Sequence, residues 1–359
     1  MSAIFGVLGL PDTERSFVNT LGQRLVFDAV QEVLRMHNAD LQAAYSVFVE
    51  QQTSDFKYRY KLPGGGYLQR RGGMAQSAAT KAYGSWDVAF PLEDFGAQLA
   101  ENDIAVAYMT LQELNRHLDT ITIQDINTIR REVLVALLNN ANLSFNDPIQ
   151  GTLTVVPLAN GDSVVYPPVI GTDSEATDDH YLESGYAASA ISDTNNPFVT
   201  IRDELEEHFG IPSDGSNIVV FVNNAQTAKV EALTDFVEVG DRFVIPGDNV
   251  DQLTGLPANL PGRVLGRVSG CWAVEWRWMP ANYMTGIHMD APRPIVARVD
   301  PADTGLGTGL QLVEVDREYP LQKSHYRHRV GFGVGNRLNG VVMELGTGGT
   351  YTIPTAYAR

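Results

Sequence analysis

At 359 residues, 44% of them apolar, and with a formal charge of −17, the chain has material for about two core-forming units. The acidic balance argues against wrapping of nucleic acid by most of the surface, and the single cysteine, Cys271, excludes an intrachain disulfide or a thiolate zinc cage. No run approaches ~18 apolar residues, and Met1 to Pro11 has no basic region ahead of its apolar stretch, so neither a membrane span nor a secretory signal is predicted.

From about Arg24 to Gln51, Leu25, Ala29, Val33 and Leu34, then Leu41, Ala44, Tyr45 and Phe48, follow helical spacing. His37-Asn38 reads as the break between two amphipathic helices. The next segment, Phe56 to Lys81, carries six positive charges and no negative one. It starts as an alternation, with Phe56, Tyr58, Tyr60 and Leu62 on one face and Lys57, Arg59 and Lys61 on the other, the period-2 signature of a strand. Gly64-Gly65-Gly66 and Gly72-Gly73 supply bends, and Ala82 to Phe90 is the return limb. A two-stranded ribbon is marginal alone in water, so it needs a surface to lie on. Two readings stay open: a basic hairpin folded on its own unit, or an arm laid on the acidic surface of another copy. The intersubunit contact candidates are Phe56, Lys57, Tyr58, Arg59, Tyr60, Lys61, Arg70, Arg71 and Lys81.

After Pro91 comes a polar connection rich in glycine and acids. Asp103 to Leu118 reads as one helix and Ile123 to Asn139 as a longer one, introduced by the capping-box pattern Thr122-Ile123-Gln124-Asp125. Ile126, Ile129, Val133, Leu134, Leu137 and Leu138 form its buried stripe, with Arg130, Arg131 and Glu132 on or near the opposite side. Phe145-Asn146-Asp147-Pro148 is a turn, and Leu153 to Leu158 pairs with Ser163 to Tyr166 around Asn160-Gly161. Gly171 to Asp193 is read as a loop. Asn196 caps a helix with Pro197 in its first position, a body over Phe198 to Phe209 and a stop at Gly210. Ile218 to Val222 is a strand buried on both faces, and Ala225 to Phe236 a short helix. Further strands are predicted at Phe243 to Ile245, Gly262 to Val268, Cys271 to Trp278, Ile295 to Val299, Leu310 to Val315, Tyr326 to Gly335 and Gly340 to Leu345. The mixed order fits an α+β layout better than alternating βα units.

Catalytic chemistry finds little support. His325 and His328, three apart on a strand, point to opposite faces. The acids Asp173, Glu175, Asp178, Asp179 and Glu183, beside His180, lack the spacing of a calcium loop and read as a solvated segment. Gly305-Leu306-Gly307-Thr308-Gly309 and Gly331-Phe332-Gly333-Val334-Gly335 are not followed by a helix, so turns or close strand approach explain them better than phosphate binding. Cys271 reads as core. Trp272, Val274, Trp276 and Trp278 share one strand face, read as core or interface, with a ligand platform as the alternative. No catalytic residue, cofactor or metal site is assigned.

Taken in order, the elements from roughly Thr53 to Gly346 resemble the major capsid proteins of tailed bacteriophages, a fold shared with encapsulin shells. The resemblance rests on the long helix Ile123 to Asn139 leading into Asn146-Asp147-Pro148-Ile149-Gln150-Gly151, the strand-Asn-helix segment Ile218 to Phe236, and the closing stretch Ser324 to Leu345. It implies an N-terminal helical arm over 1–52, an extended hairpin loop over 53–95, and a peripheral domain with a spine helix and β-hairpin over 96–170. It further implies a mainly axial domain over 171–322, with the return strand and C-terminal tail over 323–359. The family's N-terminal arm is often extended, whereas this one reads as helical.

The function so implied is a shell subunit, without enzymatic activity, that forms hexamers and pentamers closing an icosahedral container around double-stranded DNA. Such a virion would assemble in the host cytoplasm, with no membrane and no sequence-specific DNA contact. Because no charged coiled coil precedes the fold, scaffolding is expected from a separate protein; a portal and a decoration protein are further candidate partners. An encapsulin-like compartment is the nearest alternative, and a β-rich ligand-binding protein the alternative from another class.

Overall fold

The computed structural model describes residues 23–61, 68, 70, 71, 73, 85–100, 108–160, 164–169, 176, 177, 179–207, 217–238, 256, 259–314 and 323–359. In chain order these form α1 (Gln23–Tyr45), β1 (Val49–Thr53), β2 (Lys57–Lys61), β3 (Ser85–Ala89), β4 (Glu93–Ala100) and α2 (Leu111–Leu138). Next come β5 (Leu143–Asp147), β6 (Gly151–Val155), β7 (Val165–Tyr166), β8 (Ala176–Thr177), β9 (Tyr181–Glu183) and α3 (Pro197–Glu206). The remainder are β10 (Ile218–Val222), α4 (Thr227–Val230), β11 (Val237–Glu238), β12 (Arg263–Val268), β13 (Cys271–Glu275) and β14 (Tyr283–His288). The series closes with β15 (Ile295–Arg298), β16 (Leu310–Glu314), β17 (Lys323–Val334) and β18 (Val341–Glu344). Two compact units result, one drawn from Met1–Gln42, Glu93–Ile129 and Asp300–Val330, the other from Ala43–Leu92, Arg130–Val299 and Gly331–Arg359.

In the first unit the leading part of β17 pairs antiparallel with β4 and with β16. The connection expected after Pro91 is therefore a strand. Its core joins Val26, Val30 and Leu34 of α1 to Leu114, Leu118 and Ile121 of α2, with Leu99, Leu310 and Tyr326 from the strands. Full burial of such side chains contributes ~1.5–3 kcal/mol each, so packing more than propensity holds α1. The buried stripe keeps Leu34 and Leu41 of the predicted one but takes Val26 and Val30 in place of Leu25 and Ala29; Leu25 is 60% and Val33 38% exposed.

Neither predicted helix break exists here. α1 continues through His37 and Asn38 because both side chains find partners in the same unit. Asn38 donates to Leu310 O (3.0 Å) and accepts from Leu310 N (2.8 Å), taking the place of a strand neighbour. α2 likewise runs unbroken through Thr122, whose hydroxyl donates to Asp119 O. The capping box is earlier, where Thr110 N donates to Glu113 Oε2 (2.9 Å) and Glu113 N to Thr110 Oγ1 (3.3 Å). Residues 103–107 of the first predicted helix lie outside the described residues.

The second unit centres on a seven-stranded sheet in the order β11-β12-β13-β10-β14-β18-β9. β10 is parallel to β13 and antiparallel to β14, and all five of its residues are buried, as the continuous apolar run predicts. α3 covers this sheet with Phe198, Ile201 and Leu205. Contact is close enough that a Cβ on Gly286 of β14 would come within 2.2 Å of Ile201 Cγ2. Asn196 caps α3 by accepting from Phe198 N at 3.0 Å, with Pro197 next, as expected.

Other local expectations fail. Leu153–Val155 pairs with Phe145–Leu143 in a β5–β6 hairpin, not with Ser163 to Tyr166. The bend forms because Asp147 Oδ1 accepts from Ile149 N and Gln150 N, and Gly151 supplies a φ of 75°. Val165–Tyr166 pairs instead with Ala176–Thr177, and Tyr181–Glu183 joins the sheet edge parallel to β18, so the expected loop contains two strands. Of the predicted helix Ala225 to Phe236 only Thr227–Val230 is α-helical. β14 has no predicted counterpart, since Tyr283-Met284-Thr285-Gly286-Ile287-His288 is buried throughout and shows no alternation. Gly210 and Phe243 to Ile245 lie outside the described residues.

Candidate intersubunit surface

The basic segment begins as the hairpin β2–β3, with Tyr58 opposite Val88, Arg59 opposite Asp87 and Tyr60 opposite Trp86. Alternation sends Tyr58 and Tyr60 inward, where they pack with Trp86, Val88, Phe90, Tyr166, Val296 and Leu338 of the same unit. Tyr58 meets Phe90 edge-on at 5.2 Å, and Tyr60 stacks on Trp86 at 6.0 Å. The Tyr58 hydroxyl hydrogen-bonds Thr53, and Trp86 Nε1 donates to Gly335 O at 2.9 Å. Phe56 is half-buried against Ala89, Leu153 and Val155. At the hairpin base the chain's own core thus occupies the aromatic face of Tyr58 and Tyr60.

The glycines of the closing strand belong to this anchor. A Cβ on Gly331 would lie 2.1 Å from Pro91 O, and one on Gly333 2.6 Å from Phe90 Cδ1. One on Gly335 would lie 2.6 Å from the Tyr60 hydroxyl oxygen. Close approach to the hairpin base, not phosphate binding, explains Gly331-Phe332-Gly333-Val334-Gly335.

The outward face carries the charge. Lys57 Nζ lies 2.7 Å from Asp87 Oδ2, and Arg59 reaches both Asp87 oxygens at 2.6 and 3.1 Å. The Arg59 and Lys57 hydrogen bonds hold the Asp87 carboxyl well below the usual range. Exposed pairs of this kind stabilise a fold little, but they leave Lys57 and Arg59 matched within their own hairpin. Lys61, Arg70 and Arg71 are exposed. Lys81, with Leu62, Gly64-Gly65-Gly66 and Gly72, lies outside the described residues.

Buried ions fix the chain behind the hairpin. Arg298 of β15 donates to Phe90 O (3.0 Å) and to Asp147 Oδ2 (2.6 Å). Burial pushes the Asp147 carboxyl up, but the N–H groups of Gln150 and Ile149 and the Arg298 guanidinium more than offset it, leaving it below the ordinary value. Arg337 donates to Tyr166 Oη and to the carbonyls of Pro157 and Leu158. Nothing in the local sequence marked these arginines as buried.

The remaining candidates have structural roles. His328 is buried and His325 half-exposed on the other face of β17, as their spacing predicts. His328 Nδ1 lies 2.6 Å from Asp125 Oδ1, and His37 Nε2 2.8 Å from Asp125 Oδ2, a buried His–Asp–His cluster within the first unit. Burial raises the Asp125 carboxyl, yet the hydrogen bonds from His328 and His37 prevail and place it below its ordinary value. Among the described residues no group of three ligating side chains could hold a metal ion.

Of the acidic segment, Asp173, Glu175 and Asp178 lie outside the described residues, while Glu183 accepts from Gly348 N and Gly349 N. Cys271 is buried, its thiol pushed up to about 12 by burial, which disfavours a nucleophilic thiolate. The tryptophans do not share one strand face, because β13 ends at Glu275. Trp276 is buried against Phe48 and Phe221, while Trp272 lies under Arg267 and Trp278 under Arg130. No helix among the described residues is long and apolar enough to cross a membrane.

No family model and no curated protein matches the sequence. Solved structures do. A chain from Mycobacterium phage Patience superposes with a TM-score of 0.68 at 17% identity, over 98% of both chains. Lower on the scale are the mature capsid of bacteriophage PhiM1 (TM-score 0.47, 10% identity, 84% of this chain and 86% of that one) and a virus-like particle from Pyrococcus furiosus (0.41, 8%, 89% and 99%). The correspondence over 98% of both chains shows that this protein has the α+β fold of that phage chain.

Proposed function

We propose that this chain is a major capsid protein, copies of which assemble into hexamers and pentamers and close an icosahedral shell around packaged double-stranded DNA. The observation that carries this reading is the correspondence of fold with a phage protein across 98% of both chains. A basic segment, Phe56 to Lys81, in an acidic chain supports it, because a neighbouring copy offers the complementary surface. On this reading the residues beyond Lys61, Arg70, Arg71 and Lys81 among them, reach across the subunit boundary, while Tyr58, Tyr60 and Trp86 hold the base. Apolar burial between copies supplies most of the association energy, with ion pairs setting register. The protein acts as a virion component without catalysis; a separate scaffolding protein, a portal and a decoration protein complete the assembly.

Negative-stain microscopy of the purified chain, alone and with its scaffold partner, tests the proposal. Closed, uniform particles are expected. Folded monomers under every salt and concentration would count decisively against it.

A further inference from the structure

Away from the hairpin, the second unit holds a cleft of about 720 Å³ lined by Arg130, Pro261, Gly262, Arg263, Glu275, Trp276, Arg277 and Trp278. Its shape is fixed by backbone. Gly262 has a φ of 104°, and a Cβ there would fall 2.2 Å from Glu275 O, so the Pro261-Gly262 turn lies directly on the end of β13. Trp276 packs into the core behind it, and the Arg130 guanidinium sits over the Trp278 ring at 5.6 Å.

Charge within this cleft is not balanced. Three guanidinium groups face a single carboxylate, Glu275, whose Oε2 is 3.1 Å from Arg263. Neighbouring Arg131 and Arg359 share Glu132, but Arg130 and Arg277 have no carboxylate partner among the described residues. Arg130 is half-buried, and desolvation without a counter-ion lowers its pKa. A partly desolvated arginine on tryptophan, in a concave site, has the composition of an interface anchor.

We infer that this cleft receives a carboxylate-bearing segment of a second copy of the chain. The inference rests on the shell reading and adds to it a second basic contact, independent of the hairpin. With a net charge of −17, every neighbouring copy presents an acidic surface. Phosphates of enclosed DNA are the competing occupant, but a duplex is read by a continuous positive track, whereas this site is a single recess with an aromatic wall.

The test compares wild type with Arg130→Glu/Arg277→Glu and with the milder Arg130→Gln/Arg277→Gln, all full length. Far-UV circular dichroism and thermal unfolding check the subunit; sedimentation velocity reads association. Folded variants whose association is weakened by roughly thirtyfold or more would support the inference. Variants that assemble like wild type would overturn it, whether or not their particles lose DNA. Hydrogen exchange on wild type keeps the question open to refutation if both variants misfold. Residues 276–278 should gain protection on assembly, and unchanged exchange there would also overturn it. Failure of wild type to assemble would instead strike the shell reading itself.

Discussion

The β2–β3 hairpin and the Arg130 cleft carry the same charge under opposite conditions. In the hairpin, Lys57 and Arg59 converge on Asp87, and the aromatic face beneath them is packed into its own unit. In the cleft, Arg130 and Arg277 have no carboxylate partner among the described residues, and one of them lies half-desolvated on Trp278. A run of basic residues in a sequence therefore does not locate unmatched charge. Strand pairing can supply the counter-ion, as Asp87 does, and the fold can gather isolated arginines from distant segments.

If buried groups rather than surface charges hold the hairpin base, Arg298→Ala should be the most damaging single change. It removes a donor to Phe90 O and leaves the Asp147 carboxylate buried, an expected loss of about 3–5 kcal/mol measurable by urea unfolding. Trp86→Ala should follow closely, at about 3–5 kcal/mol, because it removes the platform for Tyr60 and the bond to Gly335 O. A small effect from either would show that the base is held in some other way.

Asp125→Asn extends the comparison to the first unit, with an expected cost of about 1–3 kcal/mol for two buried imidazoles losing their ionic acceptor. The carboxyl of Asp125 lies below its ordinary 3.8 when folded. Its contribution is thus complete above that value and is lost as pH falls through the lower folded value. Wild type should lose stability on acidification in this window, and Asp125→Asn should flatten that loss; hydrogen exchange along α1 would localise it.

The smallest effect on folding is expected from Asp87→Asn, with no measurable change in the unfolding midpoint, since its pairs are exposed. Charge reversal of Lys57, Arg59 and Lys61 together should likewise leave the subunit folded while impairing assembly. Unfolding by either change would break the distinction drawn between hairpin and cleft.

Much of the architecture was legible because it follows from patterns with one meaning. The continuous apolar run Ile218–Val222, the Asn196-Pro197 cap and the alternation of Lys57–Lys61 all appear as read. The two misplaced helix boundaries share a cause. His37 and Asn38 were taken for a break and Asp125 for part of a capping box at a helix start, yet each lies inside a helix and finds a polar partner across its unit. In α2 the buried series Leu114, Leu118, Ile121, Asp125 and Ile129 keeps one period throughout, with a carboxylate in an apolar place. Partners distant in sequence reversed the expected solvent preference, and no local pattern encodes them.

For the candidate surface, the hairpin's charged face was legible and its counter-ion was not, although Asp87 stands opposite Arg59 once the two limbs are aligned in register. The cleft was hidden because Arg130 and Arg277 read as ordinary solvent-facing residues.

The central claim, that this chain is a shell subunit, is tested most directly by cryo-electron microscopy of particles formed from the full-length protein. The account predicts a closed icosahedral lattice in which each subunit has the fold described and Arg130 and Arg277 contact carboxylates of an adjacent copy. Particles that never close, with the folded chain remaining monomeric beside its scaffold, would contradict it.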